Sequence, residues 1–156
     1  MKPKLIAVVA TLNALGVACG GASPSSAPAP AASSASATLY RRLGGYDALA
    51  AVTDEFLRRW QADPAIAPYF ENTDADGKKR VRQMVVDQLC AVTGGPCLYV
   101  GADMPTAHKD LRITEEDWNK AVGHVVQTLD HFKVPGGEAR EVLEIVASLK
   151  SEIIGK

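Results

Sequence analysis

The chain has 156 residues, 47% of them hydrophobic and 22% charged, with 17 basic and 18 acidic side chains and a formal net charge of −1. That length fits one domain with a core of its own. The charge balance speaks against a nucleic-acid binder, which carries a basic face for phosphate, and Lys78-Lys79-Arg80 reads as a solvated helix start.

The N-terminal segment reads as a leader rather than as part of the fold. Met1-Lys-Pro-Lys4 is a short basic region. Leu5 to Val17 is an apolar run, too short to span a bilayer comfortably but right for the core of a signal peptide. The run ends in Leu15-Gly-Val-Ala-Cys19-Gly20, which resembles the lipobox of bacterial lipoproteins, with Gly16 where that pattern usually has leucine. The resemblance implies a signal peptide over residues 1–18, acylation of Cys19, and an exported protein anchored to the cell envelope membrane. Several acyl chains hold a protein on a bilayer where one does not. Ordinary signal cleavage and a soluble secreted protein is the alternative. Residues 20–37 carry no charge and no large apolar side chain. Such a tract cannot offset its own ordering entropy. Residues 19–37 therefore read as a flexible tether with a reach of roughly 20–25 Å.

The composition changes at Leu39, and residues 38–156 read as one all-α domain. Leu39 to Leu43 makes a turn or two of helix, stopped by Gly44-Gly45. Leu49, Val52, Phe56 and Trp60 then recur at helical spacing until Asp63-Pro64, because the residue before proline avoids the helical region. Ala65 to Phe70 is short and apolar, and Asn72 to Gly77 reads as a polar turn. Val81, Val85, Leu89 and Val92 form the next stripe, ended by Gly94-Gly95-Pro96. Asp103 to Lys109 holds at most a short helix. Thr114-Glu-Glu-Asp117 has the form of a capping box and opens a long stripe through Trp118, Val122, Val125, Leu129 and Phe132. Pro135-Gly136-Gly137 is expected to stop it, and Val142, Ile145, Val146, Leu149 and Ile153 mark one last helix. The connection between Gly95 and Thr114 is longer than a bundle needs, which marks it as functional. It carries His108. A lone histidine there is either a surface residue or the axial ligand of a haem iron.

Leu39-Tyr-Arg-Arg-Leu-Gly-Gly45, Asp63-Pro-Ala-Ile-Ala-Pro-Tyr-Phe70, Val86 to Cys97, Tyr99-Val-Gly-Ala-Asp-Met104, Ala107-His108 and Val122-Gly-His124 occur in that order. Together they resemble a group 1 truncated haemoglobin over about residues 39–154. The resemblance implies a two-over-two helical sandwich around haem b, with His108 as the proximal iron ligand. It places Phe70 against the haem face. Tyr69, Tyr99, Met104, Leu111, Ile113 and Trp118 would line its walls, with Lys78, Lys79, Arg82 and Lys109 as candidate partners of the propionates. His124 reads as a packed or hydrogen-bonded histidine and His131 as exposed.

The distal side departs from the family pattern. Many members place tyrosine right after the residue matching Phe56, where this chain has Leu57. Many carry glutamine at the position of Val85, or sometimes Val81, and some a histidine at the position of Met84. Gln88 is the one evident polar candidate left on that helix. Cys90 and Cys97 both occur in the family pattern of non-exported proteins, so export and proximity alone leave their pairing open.

The resemblance implies reversible binding of O2, or of CO or NO, at the iron. Nitric-oxide dioxygenation would need an external reductase as partner, since the chain has no flavin or nicotinamide motif. Two other readings stay open at this point. One is a haem-free helical lipoprotein that serves as an interaction module. The other is an electron-transfer haem protein with His108 and Met84 as two axial ligands.

Overall fold

The computed structural model describes residues 37–156. The expected leader, Cys19 and nearly all of the tether lie outside the described residues. Within them every regular element is helical: α1 (Leu39–Arg42), α2 (Tyr46–Ala62), a 3-10 turn (Ala67–Phe70), α3 (Ala75–Val92), α4 (Met104–Ala107), α5 (Glu115–His131), α6 (Gly136–Ser148) and α7 (Lys150–Ile153). The α2 helix packs against both α3 and α5, and α5 packs against α6. The four long helices thus form the two layered pairs expected, α2 with α3 and α5 with α6.

Local chemistry sets most of the boundaries. Gly44 and Gly45 take φ of 99° and 79°, a region that costs glycine little, and turn the chain between α1 and α2. Leu49, Thr53 and Leu57, four apart, form the buried face of α2. Asp63 leaves the helix in an extended conformation just before Pro64. At the start of α5 both halves of the capping box form, Thr114 with Asp117. Leu39, Leu129 and Val142 bring α1, α5 and α6 into one apolar cluster. Arg42 closes it from outside, bonding Glu138 at 3.2 Å and Glu141 at 2.8 Å.

Three boundaries differ from the sequence reading. The α3 helix begins at Ala75, inside the segment expected to be a turn, because Asp74 caps it by accepting from the Gly77 N–H at 2.6 Å. Glycine at 77 reflects space, not flexibility: a Cβ there would meet Thr73 Cγ2 at 2.7 Å. Pro135-Gly136-Gly137 does not stop α5. That helix ends at His131, Lys133 turns left-handed at φ 53°, and Pro135 caps the start of α6. The final stripe breaks at Leu149 into α6 and α7. The Ser148 hydroxyl donates to the Ile145 carbonyl at 2.7 Å just before the break, a back-bond of the kind that bends helices.

Cys90 and Cys97 are bonded, with Cα atoms 5.7 Å apart. The bridge fixes the last turn of α3 to the connection that leads to α4. Gly95 lies under it, where a Cβ would meet Cys90 Sγ and Tyr40 Cδ2, each at 2.6 Å.

Candidate functional site

His108 is the C-cap of the single-turn helix α4. Asp103 starts that turn by accepting from the Thr106 N–H at 2.8 Å, and hydrogen bonding from Thr106 holds the Asp103 carboxyl below its ordinary range. Pro105 occupies the first turn, where its missing N–H costs nothing. The His108 ring is half-buried, and its Nδ1 lies 2.8 Å from the Met104 carbonyl oxygen. A carbonyl can only accept, so Nδ1 carries the proton. That bond leaves Nε2 as the ring nitrogen with no partner among the described residues, and a hydrogen bond of this kind behind the ring is what orients an imidazole as a metal ligand.

The segment after His108 is fixed from outside. Asp110 and Arg112 both sit at positive φ, 65° and 53°, a region uncommon for residues other than glycine. Leu111 N–H donates to the His108 carbonyl at 3.2 Å. Residues 154–156 run beside this loop: Gly155 N–H donates to Ile113 O at 3.1 Å, and Arg112 N–H to Lys156 O at 3.3 Å. Lys150 on α7 pairs with Glu115 at the start of α5, 2.6 Å apart. No periodicity or motif in residues 154–156 signals this brace.

Other expected site residues fall into two groups. Leu57, Met104 and Trp118 are buried, whereas Phe70, Val81, Val85, Gln88 and Tyr99 are half-buried. Phe70 joins Trp60 and Phe56 in an aromatic stack, with ring centroids 5.9 and 4.2 Å apart in successive pairs. The Gln88 amide points at Met104, Nε2 to Sδ 3.7 Å, so it links α3 to the helix that carries His108. Tyr99 folds back on its own loop, donating to Ala102 O at 2.7 Å, and burial pushes its phenol pKa up.

Two polar links cross the fold; His124 is hydrogen-bonded as expected, but the partner in each link carried no sequence signal. Tyr69 donates to Asp117 at 2.9 Å, joining the 3-10 turn to the cap of α5. His124 Nε2 lies 2.7 Å from Asp63 Oδ2, which ties α5 to the end of α2. The Ala65 amide, and then His124, hold the Asp63 carboxyl below its ordinary range. Both links pair residues dozens of positions apart, so only the packing of helices brings them together. Among the basic candidates, Arg82 is committed to Asp54 at 2.8 Å and Lys79 to Asp76 at 2.9 Å. Lys78 borders a small groove with Phe70 and Gln61. Lys109 is exposed beside His108.

The donor set suits a flat apolar cofactor with one axial histidine. Phe70, Val81 and Val85 are each half-buried, and His108 caps the helix that follows α3 with its Nε2 free of hydrogen bonds among the described residues. An all-helical sandwich with these features is a globin-class haem protein. Residues 38–154 match the family model of the bacterial-like globins, and the chain belongs to that family. It is 34% identical over 119 residues to group 1 truncated hemoglobin LI410 of Chlamydomonas moewusii, covering 75% of this chain and 68% of that protein. It is 32% identical over 117 residues to the group 1 truncated hemoglobin GlbN of Mycolicibacterium paratuberculosis, covering 75% and 84%. The crystal structure of the Tetrahymena pyriformis truncated hemoglobin in the Fe(III) form superposes with a TM-score of 0.71 at 27% identity, covering 77% of this chain and 100% of that one. The chain is therefore a haem b protein that binds a diatomic gas such as O2 at the iron. The haem supplies the gas-binding metal, and the protein supplies its ligand, its cover and its polarity.

Proposed function

We propose that this globin domain works at the cell envelope, held by a lipid on Cys19 and a tether over residues 19–37, with His108 as the proximal ligand of its haem. The observation that carries the ligand assignment is the Nδ1–H bond to Met104 O at 2.8 Å, which leaves Nε2 as the ring nitrogen not engaged by the protein. The leader pattern and the uncharged tract before Leu39 support the anchor. In this reading Phe70 covers the haem face, Met104 and Trp118 back the proximal side, and Tyr99 stiffens the loop leading to α4. Leu57, Val81 and Val85 make the distal face apolar. With the Gln88 amide turned to Met104, that face offers no side-chain donor from this set. A missing donor costs a polar ligand such as O2 roughly 1–3 kcal/mol, and costs CO less. The pocket is thus biased toward gases with little charge separation. Nitric-oxide dioxygenation belongs to this proposal only with a separate reductase as the electron source.

The test is an absorption spectrum of the reduced protein with and without CO, for wild type, His108→Ala and His124→Ala. A five-coordinate ferrous spectrum that CO converts, lost only in His108→Ala, is the expected result. A normal proximal-histidine spectrum in His108→Ala overturns the assignment, and a six-coordinate low-spin spectrum without added ligand favours the electron-transfer reading, with Met84 as a second axial ligand beside His108. Fractionation of Cys19→Ala tests the anchor: unchanged processing and membrane association would rule it out.

A further inference from the structure

The most exposed apolar side chains in the described residues lie together. Leu98 is 79% and Val100 70% exposed, and Val92, just before the glycine pair, is 44% exposed. They flank and occupy the connection between α3 and α4. From Gln88 through Ala102 that stretch has no charged residue. Exposed aliphatics on an uncharged loop lose little on leaving water and gain from apolar surroundings.

The loop is also held firmly. Cys97 is bonded to Cys90 with their Cα atoms 5.7 Å apart, and Leu98 follows one step of about 3.8 Å later. Tyr99, between the two exposed aliphatics, turns inward and donates to Ala102 O at 2.7 Å. The backbone is therefore braced on both sides while Leu98 and Val100 face out. A braced tip gives up little further conformational entropy when it docks.

The occupant is indicated by where the chain enters the domain. Thr38 lies directly on this corner: a Cβ on Gly94 would stand 3.2 Å from Thr38 Cβ. The next residues are fixed there too, with Tyr40 N–H donating to Thr93 O at 2.8 Å. The tether thus joins the domain within a few residues of the Leu98–Val100 tip. On the anchored reading, fewer than twenty residues separate Cys19 from this end of the domain. Two aliphatic side chains bind a bilayer weakly by themselves, but tethering raises their effective concentration at the surface.

We propose that the Leu98–Val100 tip is a membrane contact that orients the anchored domain, seating in the headgroup region of a lipid bilayer. This inference rests on the anchored reading of Cys19. The tip carries no charged side chain, so the contact does not depend on anionic lipid.

The experiment uses the full acylated chain in phosphatidylcholine vesicles, with a photoreactive diazirine analogue of leucine at position 98 or, as a control, at Val126 on the exposed side of α5. Sedimentation with the vesicles reads the anchor, and mass spectrometry after irradiation reads the contact. The expected result is lipid adducts several-fold more abundant at position 98 than at 126. Equal labelling at both sites, or none at 98 in a chain that sediments, overturns the contact and leaves the anchor standing. Protein–protein adducts at 98 assign the tip to a second copy of the chain and also overturn it. A chain that does not sediment overturns the anchor and the contact together.

Discussion

Removing Asp117 tests whether the 3-10 turn that carries Tyr69 and the helix that follows the His108 loop are joined through one carboxylate. Asp117 accepts from the Tyr69 hydroxyl at 2.9 Å, the Thr114 N–H at 3.0 Å and the Thr114 hydroxyl at 2.6 Å. In Asp117→Ala the helix keeps the bond from its own residue 117 amide to Thr114 Oγ1, 3.2 Å long, but loses the reciprocal half of the cap. Loss of a cap costs about 1 kcal/mol, and the half-buried Tyr69 hydroxyl left without its charged acceptor costs about 1–2 kcal/mol more. The sum of roughly 2–3 kcal/mol lowers the Tm of a domain this size by about 10 °C. The assay is thermal unfolding of the CO-saturated ferrous holoprotein, wild type against Asp117→Ala, Tyr69→Phe and the double variant. A coupling of about 1 kcal/mol between the two single changes is expected. The pH dependence supplies an independent check. Hydrogen bonds from Thr114 and then Tyr69 hold the Asp117 carboxyl below its ordinary value. A carboxyl with a depressed native pKa stabilises the fold above its unfolded pKa of about 3.9, and that contribution is lost as pH falls through the native value. The gap between wild type and Asp117→Ala should therefore hold from pH 7 to about 5 and close in stronger acid. Strictly additive effects of the two single changes, with a gap that persists unchanged into acid, would refute the link.

Other substitutions probe the site and its supports. Gly95→Ala should destabilise by about 2 kcal/mol or more, because the new Cβ meets the disulfide sulfur and the Tyr40 ring at 2.6 Å. Gly137→Ala, with nothing within 4 Å of its Cβ, should be neutral or stabilise by up to about 1 kcal/mol in the same denaturation assay. Leu57→Tyr should slow O2 dissociation on the order of tenfold if the hydroxyl gains about 1.4 kcal/mol, with a much smaller effect on CO. Equal slowing of both gases by stopped flow would mean that the ring blocks the exit. Deleting residues 154–156 removes the two backbone bonds to Ile113 and Arg112. That should speed transfer of haem to an apoglobin acceptor several-fold and shift the iron–histidine stretching band. An unchanged band would show that the tail does not set the His108 segment.

The sequence by itself determined the helical elements and singled out His108 as the proposed iron ligand. Helical spacing of Leu49, Phe56 and Trp60, the capping box at Thr114, and the glycine pairs at 44–45 and 94–95 are local signals, readable because each depends on neighbours within a turn or two. The same locality explains the errors. Asn72 to Gly77 looked like a turn because polar residues and glycine favour turns, yet Asp74 serves as a cap and Gly77 is there to make room for Thr73. Pro135-Gly136-Gly137 looked like a stop, yet proline also suits a helix start, and it opens α6.

Tertiary structure alone decided what the site residues face. It joined Cys90 to Cys97, a pairing the sequence left open. It turned Gln88 toward Met104, and paired Tyr69 with Asp117 and Asp63 with His124. It also laid residues 154–156 along the loop that follows His108. Each of these depends on how a side chain or a strand of backbone is aimed after the helices have packed. That direction follows from how the segments pack, most of them far apart in the chain, and spacing along the chain does not encode it.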